Sequence, residues 1–147
     1  MYLSTKTYEG ELSTAFRQWR ADSHCRFVHG YGLSVKFTFA CTHLDDRNWV
    51  VDFGGLKAIK EWLKEQFDHT LCVAEDDPQR LIFEHLHDIG VAQVRILPKI
   101  GCEAFAAYIA EYTYNLIRKM SQNRCWVYMV EVRENNANSA IYFPEGK

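Results

Sequence analysis

The stretch Ser34-Val35-Lys36-Phe37-Thr38-Phe39-Ala40-Cys41 alternates strictly, with Val35, Phe37, Phe39 and Cys41 on one side and Ser34, Lys36, Thr38 and Ala40 on the other. A period of two sends successive side chains to opposite faces, so the segment reads as a strand with one buried face. Upstream, residues 7–19 can pair with it as an antiparallel neighbour across a connection holding Gly30 and Gly32. Downstream, the turn-like Asp45-Asp46-Arg47-Asn48 leads into a short extended run, Trp49-Val50-Val51, and then Asp52, a residue able to cap a helix. Leu56, Ile59, Trp62, Leu63 and Phe67 follow at helical spacing, with Lys57, Lys60, Glu61, Lys64 and Glu65 turned away. Asp77-Pro78 reads as the N-cap and first residue of a shorter helix closed by Gly90. A short strand over residues 91–97 and a long helix from about Cys102 to Met120 come next. A last alternating strand is expected to carry Trp126, Tyr128, Val130, Val132 and Glu134 on one face, before an Asn-rich turn and Ile141-Tyr142-Phe143. Strands, then helices, then strands imply an α+β fold rather than the strand-helix alternation of a parallel sheet. No Gly-x-Gly-x-x-Gly or Gly-Lys-Ser phosphate loop argues otherwise.

At 147 residues, with 48% hydrophobic and 24% charged residues, the chain has room for one domain, residues 1–147, and too much apolar content for the disordered class. A net charge of -2 offers no broad basic field for nucleic acid or an anionic membrane. With neither a membrane-length apolar run nor a leader pattern, the expected location is cytoplasmic and the expected partner a small molecule. Cys25, Cys41, Cys72, Cys102 and Cys125 form an odd set without a Cys-x-x-Cys pair, which favours reduced thiols over a disulfide framework.

Imidazole serves as metal ligand and as general base near neutral pH, so each of the six histidines is a candidate site residue. His85 and His87 sit at a helix end, where a cation suits the dipole, and His43 lies in a polar turn; all three read as surface residues. The run His24-Cys25-Arg26-Phe27-Val28-His29-Gly30-Tyr31 puts two imidazoles and a thiol in a connection between strands, which suits either a site or a satisfied structural loop. Two histidines are one short of the three protein ligands of a typical catalytic zinc. Asp68-His69 pairs a carboxylate with an imidazole it could orient, provided a turn brings the neighbours together; otherwise it is a polar helix exit. Glu134 ends an apolar face and therefore stands at its rim or is paired.

Taken in order, these segments resemble the 6-pyruvoyl-tetrahydropterin synthase and 6-carboxytetrahydropterin synthase family. The resemblance rests on Cys25, His29-Gly30-Tyr31, Val50-Val51-Asp52-Phe53-Gly54-Gly55-Leu56-Lys57, Phe67-Asp68-His69, Glu103, and Glu134 with Tyr142. It implies the tunnelling fold: an antiparallel sheet with helices packed on one face, its edges joined between subunits into a barrel. The implied partners are a pterin triphosphate and further copies of the chain, a hexamer built as a dimer of trimers, with Glu134 and Cys25 supplied by different chains.

The implied activity is that of a lyase on 7,8-dihydroneopterin triphosphate, with 6-carboxytetrahydropterin as the first-choice product. Cys25 would be the base, Asp68 and His69 its proton relay, Glu134 the pterin anchor and Glu103 its assistant. The implied cofactor is Zn2+. Two registers place its first ligand on Arg20 or on His24, and His24 is preferred because it keeps a donor; His29 and Tyr31 would complete the set, with His43 as an outside substitute for Tyr31. Tyr31 stands where the family has histidine, so the alternative is a pterin- or purine-binding relative that has lost the zinc site. Lys36, Arg47 and Lys99 are equal candidates for holding phosphate.

Overall fold

A computed structural model describes residues 1–144. The alternating stretch lies in β2 (His29–Cys41), whose Val35, Phe37, Phe39 and Cys41 are fully buried. The strand begins earlier than expected. Gly30 and Gly32 lie inside it rather than in a connection, and His29, Tyr31 and Leu33 extend the period-two face of Val35 back to its start. β1 (Tyr2–Phe16) pairs with β2 antiparallel along nearly its whole length and ends at Phe16, so residues 17–19 lie beyond the strand that was expected to reach Trp19. A bulge between Tyr8 and Leu12, with Gly10 at φ 61°, bends β1 midway.

Asp52 caps a 3-10 turn, its carboxylate accepting from the Gly54 N–H at 2.9 Å, and α1 (Lys57–Phe67) follows with Ile59, Leu63 and Phe67 buried. Val50 and Val51 are buried but form a bend, not the extended run read from sequence. β3 (Thr70–Ala74), α2 (Arg80–Asp88) and β4 (Val94–Leu97) come next. β3 escaped the sequence reading because its five residues show no clear alternation, with all but Leu71 buried. α2 starts three residues after Asp77, whose carboxylate is claimed by an arginine as described below. β4 is shorter than residues 91–97, since residues 91–93 form the link from α2.

α3 (Cys102–Met120) has the expected bounds. β5 (Cys125–Arg133) and β6 (Ser139–Tyr142) complete a six-stranded sheet of order β4-β3-β1-β2-β5-β6. The sheet is mixed rather than antiparallel. β3 runs parallel to both β1 and β4, and α2 is the crossover that a parallel β3–β4 pair requires.

The face assigned to β5 is also corrected. Thr38 pairs with Met129 but Phe39 with Val127, so Tyr128 is an extra residue and the alternation flips at it. Cys125 and Val127 point inward before the bulge and Val130 and Val132 after it, leaving Tyr128 exposed and Trp126 half-buried. α1 and α3 close over the inward face through an aromatic chain. Phe16 meets Phe105 edge-on at 5.3 Å between centroids, Phe105 meets Phe67 at 5.2 Å, and Tyr8 meets Phe37 at 6.1 Å.

One buried ion pair ties the end of β1 to the approach to α2. Arg17 grips Asp77 with two hydrogen bonds, Nε to Oδ2 at 2.8 Å and Nη2 to Oδ1 at 2.7 Å, and the Asp77 side chain is only 1% exposed against 20% for Arg17. The Gln79 N–H donates a third bond to Oδ1 at 2.8 Å. The hydrogen bonds from Arg17 outweigh the cost of burial and hold the Asp77 carboxyl below its ordinary value. Stability from this pair is therefore complete above the unfolded carboxyl's pKa, about 3.9, and is lost as pH falls through the lower folded value. Asp77→Asn is expected to lower the unfolding free energy at pH 7 by about 3 kcal/mol, since it strands a largely buried guanidinium. Urea melts at pH 7 and pH 2.5 check this: the gap between the two proteins should narrow at the acid end, and an equal gap at both pH values would contradict it.

Candidate active site

The chain leaves β1 at Phe16 and crosses the open end of the sheet before β2 begins, and a pocket of about 210 Å3 forms there. His29 and Tyr31 reach it from the start of strand β2, Gln18 and Cys25 from the crossing, Cys102 and Glu103 from the start of α3, and Glu134 and Asn138 from the turn between β5 and β6. Phe16 underlies the pair from β2, with its centroid 5.5 Å from His29 and 5.9 Å from Tyr31, while the two rings stand edge-on to each other at 5.3 Å. His29 Nδ1 lies 2.7 Å from the Phe27 carbonyl oxygen. A carbonyl only accepts, so Nδ1 carries the hydrogen, and in the neutral ring Nε2 holds a free lone pair. Partial burial pushes the Tyr31 phenol up from its ordinary pKa, and the nearby Glu134 carboxylate adds to the shift, so the hydroxyl stays protonated at neutral pH.

The crossing is held by its backbone. The Gln18 N–H donates to the Cys25 carbonyl at 2.9 Å, Arg17 Nη1 donates to the Arg26 carbonyl at 3.3 Å, and Ser23 caps the 3-10 turn His24–Arg26. Gln18 also fastens the far wall, donating from Nε2 to the Ile100 carbonyl at 2.6 Å. Gly101 follows at φ 115°, a backbone shape that favours glycine, and a Cβ there would sit 2.6 Å from that same amide nitrogen and push the Gln18 side chain aside.

Glu134 is held from two sides. Asn138 Nδ2 donates to Oε1 at 3.3 Å and the Cys102 thiol lies 3.9 Å from Oε2. The Asn135 side chain stiffens the turn by accepting from the N–H groups of Ala137 and Asn138, each at 2.9 Å. Burial, reinforced by Glu134 and Glu103, pushes the Cys102 thiol up to about 12 and makes it a neutral wall of the pocket.

Of the residues singled out by sequence, Cys25, His29, Tyr31, Glu103 and Glu134 converge here. A single chain brings Cys25 and Glu134 to one pocket, which corrects the expectation that they come from different chains. Asp68 and His69 lie elsewhere. They follow α1, with His69 Nδ1 3.1 Å from Asp68 Oδ2 and Asp68 Oδ1 accepting from the Ser13 N–H at 3.0 Å. The turn that neighbours need in order to cooperate is supplied by His69 itself, at φ 52°. Burial raises the Asp68 carboxyl, but the bonds from Ser13 and His69 outweigh it and hold the group low. The His69 side chain is 84% exposed, on a shallow groove beside β3.

Of the three donors assigned to zinc, His29 and Tyr31 come together and His24 does not join them. His24 is exposed on the 3-10 turn and does not border the pocket; in the other register, Arg20 lies over the Trp19 ring and pairs with Asp76 at 3.3 Å. Exposed His43 shares a 2.9 Å hydrogen bond with Thr42 and does not border it either. Among the described residues no three His, Cys, Asp or Glu side chains are placed to share an ion. The residues present therefore do not fit the three-ligand zinc site. Lys36, Arg47 and Lys99 do not border the pocket. Gln18, Cys102 and Asn138 were missed. Their polar side chains stand next to Gly101, Glu103 and Glu134 in space, and only Cys102 adjoins a residue already singled out.

The geometry has counterparts. The chain superposes on an uncharacterised protein of Wolinella succinogenes with a TM-score of 0.84, over 98% of each chain at 18% identity. On the 6-pyruvoyltetrahydropterin synthase of Plasmodium vivax the TM-score is 0.67, over 98% of this chain and 99% of that one at 15% identity. These establish the α+β tunnelling fold. In sequence, the 6-carboxy-5,6,7,8-tetrahydropterin synthase of Rickettsia conorii is 31% identical over 70 residues, 47% of this chain and 51% of that protein. The enzyme of the same name from Rickettsia felis is 36% identical over 56 residues, 37% of this chain and 41% of that protein. The chain thus spans about half the length, or less, of the curated relatives it matches. A family model described as 6-pyruvoyl tetrahydropterin synthase matches residues 6–145, nearly the whole chain, and the chain belongs to that family.

Proposed function

We propose that the chain is a lyase acting on 7,8-dihydroneopterin triphosphate to give 6-carboxy-5,6,7,8-tetrahydropterin. The observation that carries this reading is the convergence of Cys25 and Glu134, 109 positions apart in the sequence, on one pocket. The names of the Rickettsia relatives support the product.

Glu134 is the pterin anchor. The amino-pyrimidine edge of a pterin presents adjacent N–H donors, and a carboxylate accepts such a pair with two charge-assisted hydrogen bonds. Asn138 and Cys102 each engage one oxygen of Glu134, and each oxygen keeps a second lone pair for the ligand. Glu103, exposed at the pocket edge, assists there. With the ring so placed, the ligand's side chain extends toward Cys25, His29 and Tyr31. Cys25 is the base for a carbon-bound proton of that side chain.

Asp68 and His69 do not border the pocket of their own chain, so they relay that proton from a second copy. An exposed imidazole oriented by a held carboxylate is suited to enter a neighbour's pocket. The reading therefore includes a homo-oligomer.

Product formation from 7,8-dihydroneopterin triphosphate, followed by chromatography, tests the reading. Cys25→Ala is expected to lower turnover by about 100-fold or more while pterin binding persists. Glu134→Gln is expected to weaken binding by about tenfold, the equivalent of one charge-assisted bond. Turnover untouched by Cys25→Ala would contradict the assignment, and tight pterin binding without turnover would favour the non-catalytic relative that Tyr31 suggests. On size-exclusion chromatography, activity should follow the oligomer; equal specific activity in a monomer fraction would contradict the shared relay.

A further inference from the structure

Three protein donors around a zinc ion must each aim a lone pair at one point about 2.0–2.3 Å away. Here one donor is in place. His29 shows Nε2 to the pocket because its Nδ1–H is spent on the Phe27 carbonyl, but the positions that should join it hold other chemistry. Arg20 carries a cation and is paired with Asp76, His24 lies outside the pocket, and Tyr31 presents a phenol. The phenol and the imidazole are fixed as a pair. They stand edge-on at 5.3 Å and 86°, both rings packed on buried Phe16.

We propose that this pocket holds a hydroxylated ligand side chain without a metal, using the Tyr31 hydroxyl as donor and His29 Nε2 as acceptor. A ligand hydroxyl both donates and accepts, so it can close a hydrogen-bonded circuit with these two groups while neither changes its charge. A metal would have done the same job by gripping the hydroxyl oxygen. The Gln18 amide and the Cys25 thiol border the same space. The inference rests on the reading of the pocket as a pterin site.

Two measurements on the purified full chain test it. Zinc content is read by elemental analysis after expression in zinc-supplemented medium, with no ligand present. Binding of 7,8-dihydroneopterin, which carries the hydroxylated side chain without phosphate, is read by calorimetry with and without EDTA. The expected result is zinc far below one per chain, affinity unchanged within about twofold by EDTA, and a loss of about fivefold to tenfold in Tyr31→Phe, which removes one hydroxyl and keeps the ring. His29→Ala should weaken binding similarly and leave metal content unaltered. One zinc per chain, lost in His29→Ala, with binding abolished by EDTA, would overturn the inference. Metal content separates the two failures: a zinc-free protein that binds no dihydroneopterin would overturn the pterin reading itself, and the donor–acceptor pair with it.

Discussion

Phe16 packs edge-on against Phe105 of the long helix, and on its other side lies against His29 and Tyr31. The whole site depends on that arrangement. A buried phenylalanine contributes about 2–3 kcal/mol through the apolar surface it removes from water, yet its larger effect here is geometric. Phe16 and His29 are direct cross-strand partners, so the pairing of β1 with β2 sets where the imidazole stands, and α3 clamps the pair from above. The same helix delivers Cys102 and Glu103 at its first turn. Core and pocket are therefore one packing unit, and the pocket begins where the helices stop covering the sheet.

Three consecutive residues then do three different things. Phe16 joins sheet to helix, Arg17 turns back to the buried Asp77 and to the Arg26 carbonyl, and Gln18 reaches the Ile100 carbonyl beside Gly101. The bonds to Asp77 and Ile100 reach segments distant in the chain, and the bond to Arg26 closes the crossing on itself. Together with the 3-10 turn His24–Arg26 they fix the crossing that carries Cys25, so a side chain on a loop is placed accurately without a strand ladder. Glu134 is positioned in a comparable way by its own turn, through Asn135 and Asn138.

The sequence revealed the fold wherever a period ran uninterrupted. β2 from Ser34 onward, α1 and α3 were legible because one buried face with one period decides the element. Reading failed where a second constraint intervened. The Tyr128 bulge reversed the face of β5, and no count of alternating residues anticipates an inserted one. β3 was invisible because a short strand flanked on both sides has no polar face to mark it. The site showed the same division. Cys25, His29, Tyr31, Glu103 and Glu134 could be named because chemistry-bearing residues stood at motif spacing. That Asp68, His69 and His24 stand outside the pocket depends on where strands end and loops cross. The period-two face running back through Gly32 and Gly30 to Tyr31 and His29 was the one signal present and unused.

We read the pocket of a single chain as a pterin site, with its anchor at Glu134 and its reactive end at Cys25, His29 and Tyr31. A crystal structure with 7,8-dihydroneopterin bound tests it most directly. The expected result is the amino-pyrimidine edge against the Glu134 carboxylate, with the hydroxylated side chain within hydrogen-bond reach of Tyr31 and His29. A pterin bound with its ring edge away from Glu134, or seated in another groove of the sheet, would contradict it.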